Sequence, residues 1–204
     1  GSEEVIILSV DVESSKSTSA LRILPLPSNP TKVEQGDADS FTKLVEIFNQ
    51  KVGQTKKPTW TLRTEGSSAV ALPPVEVTFH QRIGAHDVSV VKVNELDHFI
   101  YWIEDFTAGK ELGHAKISPE FEDTIGNYLN KDIRFFVFDV IEASENRQSV
   151  GPLIYRFKSD FLYYPLEITA TSDVGWPASA VNVFLIAKGI IEEEAITEAN
   201  LRPW

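Results

Sequence analysis

The chain has 204 residues, long enough for one domain with a sizeable core, and its 42% hydrophobic and 24% charged residues are globular usage that argues against disorder. The net charge is −11 with no compensating basic stripe, which argues against a nucleic-acid partner. No apolar run approaches the roughly eighteen residues of a membrane span, and the absence of cysteine excludes disulfides, thiolate nucleophiles, Fe–S clusters and Cys-bound zinc.

Gly1-Ser2 reads as a cloning scar, so the domain is taken as 3–204. Residues 5–12, VIILSVDV, begin as a continuous apolar run, the pattern of a strand buried on both faces at one end. After the polar ESSKSTS comes ALRILPLP, and the two strands read as a hairpin. Pro25, Pro27 and Pro30 are expected to stop its second strand. Asp39 or Ser40 caps a helix through FTKLVEIFNQKV, with Phe41, Leu44, Val45 and Phe48 on one stripe and Gly53 at its end. Residues 52–74 lack periodicity and read as a long surface loop, with a short strand expected at 59–63.

VEVTFHQR alternates, placing Val75, Val77 and Phe79 on one face, and pairs with DVSVVKV across the turn IGAHD. Asn94 caps a second helix whose Leu96, Phe99, Ile100 and Ile103 make its stripe; His98 falls at the edge of that face. Ser118-Pro119 opens a third, burying Phe121, Ile125, Tyr128 and Leu129. Residues 133–141, IRFFVFDVI, and 181–187 are expected as central strands, which requires burial of Phe135, Val137, Val183 and Leu185. Between them LIYRF and FLYYPLEITAT read as two strands joined by Lys158-Ser159-Asp160, the aromatics serving packing more than a ligand. Pro165 makes the second an edge or a bulge. The tail IIEEEAITEANLRPW is acidic and reads as helical. The fold class is α+β: a single domain with a mainly antiparallel sheet and about three helices.

Three blocks carry a resemblance. They are the first strands, ending in ILPLPSNP and running into GDADSFTKL; the stretch VEVTFHQRIGAHDVSVVKVNELDHFIYWIEDF; and GPLIYRFKSDFLYYPLEITA followed by VNVFLIAKG. In this order they resemble the domain of unknown function 2330, uncharacterised exported proteins of bacteria and archaea. The resemblance implies an extracytoplasmic domain, often beside a membrane segment and so membrane-anchored in the full-length protein. It transfers no catalytic residue.

Chemistry finds little foothold. His80 and His86 flank a hairpin turn and are weak metal candidates, with Asp87 or Glu76 as a third ligand, but no established metal spacing occurs. Asp37 and Asp39 fit the start of a calcium loop that Phe41, Thr42 and Phe48 then break. There is no G-x-S-x-G elbow and no phosphate-binding glycine loop. Acidic groups such as Glu104-Asp105 and 192–194 read as solvated faces. The expectation is a non-enzymatic binding domain at the cell envelope, without a cofactor, meeting a protein or another envelope component. The alternative is a hydrolase or metal-binding protein whose site is assembled from dispersed residues. Two surfaces are candidates: the basic, aromatic stretch with Lys56, Lys57, Trp60 and Arg63, and a free strand edge around Pro165.

Overall fold

A computed structural model of the chain describes residues 2–12, 18–51, 74–110, 112, 117–143, 148–171 and 183–186. In chain order the elements are β1 Ser2–Val12, β2 Thr18–Leu26, β3 Lys32–Gln35, α1 Asp39–Lys51, β4 Val75–Ile83, β5 His86–Val93, α2 Leu96–Gly109, α3 Pro119–Asn130, β6 Phe135–Ala143 and β7 Gln148–Ser159, followed by a 3-10 turn, Glu167–Thr171. The architecture is α+β, with one sheet in the order β1-β7-β3, another in the order β2-β6-β5-β4, and every described pairing antiparallel. By its internal contacts the chain divides into two units, Gly1–Ala38 with Ser68–Val174, and Asp39–Ser67 with Gly175–Trp204.

The first unit is layered around β6. Its sequence FFVFDVIEA is apolar on both faces, and both of its edges are taken, by β2 and β5. On one face Phe136 and Phe138 meet α2: Phe99 lies 4.8 Å from Phe136, and Trp102 lies 4.8 Å from Phe138, edge to face. Tyr128 of α3 reaches Phe136 from the same side. The opposite face, with Val137, Asp139 and Ile141, turns toward the three-stranded sheet, where Leu153, Tyr155 and Phe157 are fully buried. Burying each such side chain contributes about 1.5–3 kcal/mol, so this double-sided core dominates the fold.

A carboxylate sits inside that core. Asp139 is 1% exposed and receives Arg22 Nη2 at 2.6 Å and His86 Nδ1 at 2.9 Å. Arg22 also donates to the Tyr155 hydroxyl at 3.3 Å, and the other nitrogen of His86 bonds the Gly151 carbonyl at 2.8 Å. The cluster therefore ties β2, β5 and β6 of one sheet to β7 of the other. Arg22 Nε is the one buried side-chain polar atom among the described residues without a hydrogen-bond partner.

Helix α3 starts as its sequence dictates: Ser118 accepts the Phe121 N–H at 3.2 Å and Pro119 holds the first turn. The hairpin β4–β5 turns at Gly84, whose φ of 60° suits glycine. Phe99 and Ile103 of α2 are buried. In the second unit, α1 presents Phe41 and Leu44 half-buried; the side chains of Val45 and Phe48 lie outside the described residues.

β1 and β2 do not form a hairpin: β1 pairs with β7 and β2 with β6, because the strands that complete their cores come from more than a hundred residues downstream. β1 is buried on one face, with Ile6 inside and Val5 and Ile7 exposed. β2 runs through Pro25 to Leu26, tolerated because it is an edge strand with one unpaired side. The short β3 carries too few residues to show a period. A bulge between Val77 and Phe79 switches faces, so Val77 is 51% exposed and does not share a face with Phe79. The residue before α2 is Glu95; the Asn94 N–H is taken by the Pro74 carbonyl, which ends β5 instead. No central strand covers 183–186, which are outside regular structure and include Val183 at 49% and Leu185 at 39% exposure. Both sides of β6 are already occupied, so no further strand can sit beside it. The strand expected at 59–63 and the helical tail lie outside the described residues.

Removing Asp139 leaves the buried His86 and the part-buried Arg22 without their shared acceptor. Asp139→Ala is expected to lower unfolding stability by about 3–5 kcal/mol, measured by urea denaturation. Breaking the exposed Arg82–Glu142 pair should change it by less than about 1 kcal/mol. Similar losses for the two would contradict the role assigned to the cluster.

Candidate functional site

After β7 the chain FLYYPLEIT is not a strand. Ser159 Oγ bonds both the N–H and the carbonyl of Phe161, turning the backbone. The Tyr163 N–H then donates to Glu4 Oε1 at 3.0 Å, and its hydroxyl donates to the Pro25 carbonyl at 3.0 Å. Pro165 offers no N–H, and the Leu166 N–H folds back to the Tyr164 carbonyl. The Ile168 N–H donates to the Tyr128 hydroxyl at 3.1 Å. Side chains from β1 and α3 thus take the bonds that a ladder would have made, and the expected strand edge at Pro165 is absent.

This segment and the end of α3 enclose an open groove of about 430 Å³, lined by Tyr128, Lys131, Ile133, Phe161, Tyr163, Tyr164, Leu166 and Glu167. Phe161 is 43% exposed and meets Tyr163 edge to face, ring centres 5.9 Å apart at 74°. Leu162 and Leu166 are exposed too. At the rim Glu167 receives Lys131 Nζ at 2.8 Å and Asn127 Nδ2 at 3.2 Å, and the Lys131 ammonium lies 5.9 Å from the centre of the Tyr128 ring.

The phenols of the groove are poor proton donors. Burial, reinforced by the charge of Glu167, pushes Tyr128 up to about 12 against the opposing Ile168 N–H bond, and burial raises Tyr163 and Tyr164 as well. Tyr128 and Tyr163 are also engaged by backbone partners. The groove thus combines apolar rings with a polar rim.

The interior His86–Asp139 pair has the residue types of a catalytic dyad. His86 is 2% exposed and both ring nitrogens are engaged, so the pair holds strands together. Tyr155 beside it is pushed by burial up to about 12.

His80 and His86 do not meet. His86 pairs with Ile83 and His80 with Ser89, three positions on from His86, so the rings project from opposite faces of the hairpin. His80 bonds Asp87 at 2.8 Å, and Asp87 also holds Lys110 at 2.6 Å. Burial would raise the Asp87 carboxyl, but those two partners hold it below its usual range. Glu76 is exposed, and no group of three potential metal ligands occurs among the described residues. Lys56, Lys57, Trp60 and Arg63 lie outside the described residues. The groove was missed in the sequence because its halves are some forty residues apart; the only signal was the density of aromatics beside Pro165.

Glu4 gives the groove a pH signature. Burial raises its carboxyl above the usual range, opposed by the Tyr163 N–H bond. The proton is held more tightly in the folded state, so the stability it confers is full below the ordinary carboxylate pKa and is lost as pH rises through the raised value. Glu4→Gln, which keeps an acceptor for Tyr163, is expected to raise the urea midpoint at pH 7 and leave it unchanged at pH 3. A lower midpoint at pH 7 would contradict this.

No helix among the described residues is long and apolar enough to cross a membrane. No curated protein and no solved structure matches the chain. A family model described as an uncharacterized protein conserved in bacteria, DUF2330, matches residues 1–202, and with nearly the whole length inside that match the chain belongs to the DUF2330 family.

Proposed function

We propose that the protein is a non-enzymatic binding domain at the cell envelope, acting outside the cytoplasm and membrane-anchored in its full-length form. The observation that carries this reading is the open groove, where Phe161 and Leu166 stand exposed beside a rim of Asn127, Lys131 and Glu167. Exposed apolar surface framed by polar groups is the mark of a recognition surface. The resemblance to exported proteins supports the location, and the match over 1–202 supports treating 3–204 as one domain. The stretch with Lys56, Lys57, Trp60 and Arg63 is a second contact surface, read from its island of positive charge on an acidic chain.

Cosedimentation with native envelope material tests the reading. Phe161→Ser with Leu166→Ser is expected to weaken retention roughly tenfold, the loss of about 1.4 kcal/mol of contact. Replacing Lys56, Lys57 and Arg63 with Glu should lower retention at low salt and matter less at high salt. Retention unchanged in both variants would overturn the proposal. In intact cells the full-length protein is expected in the membrane fraction and open to external protease; recovery from the cytoplasm would refute the location.

A further inference from the structure

We propose that the groove beside α3 binds the pyranose ring of a neutral glycan. This deepens the binding-domain reading and rests on it. Phe161 and Tyr163 stand at 74° to one another, an exposed ring and a buried ring forming a corner. A pyranose has one face of C–H bonds, which packs on an aromatic ring, and a girdle of hydroxyls, which needs paired donors and acceptors at its edge. The corner supplies the first and the rim supplies the second. Glu167 accepts one bond on each carboxylate oxygen, from Asn127 and from Lys131, and each oxygen retains a further lone pair for a sugar hydroxyl. Lys131 uses one of its three protons on Glu167, and others are available to sugar oxygens.

The site is also built in advance. Tyr163 is anchored at its N–H by Glu4 and at its hydroxyl by Pro25, and the Tyr128 hydroxyl accepts from the Ile168 N–H. A preformed corner avoids the ordering cost of a mobile one, which matters for a weakly held ligand such as a sugar. Its volume of about 430 Å³ suits one or two rings. Two other ligand classes fit less well. A polyanion faces a chain of net charge −11 and the Glu167 carboxylate at the rim itself. A fully apolar segment would bury Glu167 and Lys131 without giving hydrogen bonds back.

The test uses the whole chain with maltotetraose and the tetramer of N-acetylglucosamine, by saturation-transfer NMR and by amide shifts. At least one sugar is expected to receive saturation at its ring C–H protons and to shift amides confined to 127–133 and 161–168. Phe161→Ala should weaken binding at least about tenfold, and Glu167→Gln should weaken it by a smaller factor. Leu162→Ala, exposed but not part of the groove lining, should leave it unchanged. No transfer to either sugar overturns the proposal, as does unaltered binding by Phe161→Ala or displacement of the sugar by a proline- and leucine-rich peptide. Envelope retention of Phe161→Ala separates the two readings. Lost retention without sugar binding removes the glycan and keeps the binding domain. Sugar binding with retention intact keeps the glycan site and removes it as the envelope contact.

Discussion

Asp139 places a negative charge where the two sheets close on each other, and the surrounding structure is arranged to answer it. Desolvating a carboxylate costs several kcal/mol unless donors surround it. Arg22, His86 and, through Arg22, Tyr155 come from three further strands to do so. Arg22 on β2 and His86 on β5 donate to the carboxylate, while the Tyr155 hydroxyl and the Gly151 carbonyl on β7 accept from these same two side chains, so the charge links β6 to both neighbours and to the other sheet. A slip of one residue would turn the Asp139 carboxylate to the opposite face of β6, away from Arg22 and His86. The aromatic layer on the other face of β6 adds burial energy that is not directional.

The groove is built on that frame. Pro25, one residue from the end of β2, accepts the Tyr163 hydroxyl, and Glu4, on β1, accepts the Tyr163 N–H. β1 and β2 belong to different sheets, so the Tyr163 segment sits where both sheets end and is held by each. Helix α3 closes the other wall through Tyr128, which is itself packed against Phe136 of β6. The exposed Phe161 ring is thus backed by the buried Tyr163 ring, and the polar rim is tied into a chain from Asn127 to Glu167 to Lys131.

What could be read from the sequence were the elements whose signals are local. Ser118-Pro119 marks α3 through a bond spanning three residues, and Gly84 marks a hairpin whose strands follow directly. The apolar run of β6 announces a strand covered on both faces. Pairing was not legible, because β1 and β7 meet across about 150 residues and no local pattern distinguishes that partner from β2. Residues 161–169 carry a strand's composition, but Glu4, Pro25 and Tyr128 capture their backbone and side chains from afar. A one-residue bulge at Thr78 was enough to undo the expected face of β4, and alternation across the hairpin separated two histidines that looked close. The site followed the same rule: the aromatics were visible, but their companions on α3 were not.

The groove exists before any ligand arrives, held by Glu4, Pro25 and Tyr128. Native-state hydrogen exchange at single amides tests it most directly. The amides of Tyr163 and Ile168, bonded to the Glu4 carboxylate and the Tyr128 hydroxyl, should be protected in the free protein. Their protection should rise and fall together. Exchange of both at the rate of an unstructured chain, while the amides of β6 stay protected, would show that the groove forms only on binding and would contradict the account.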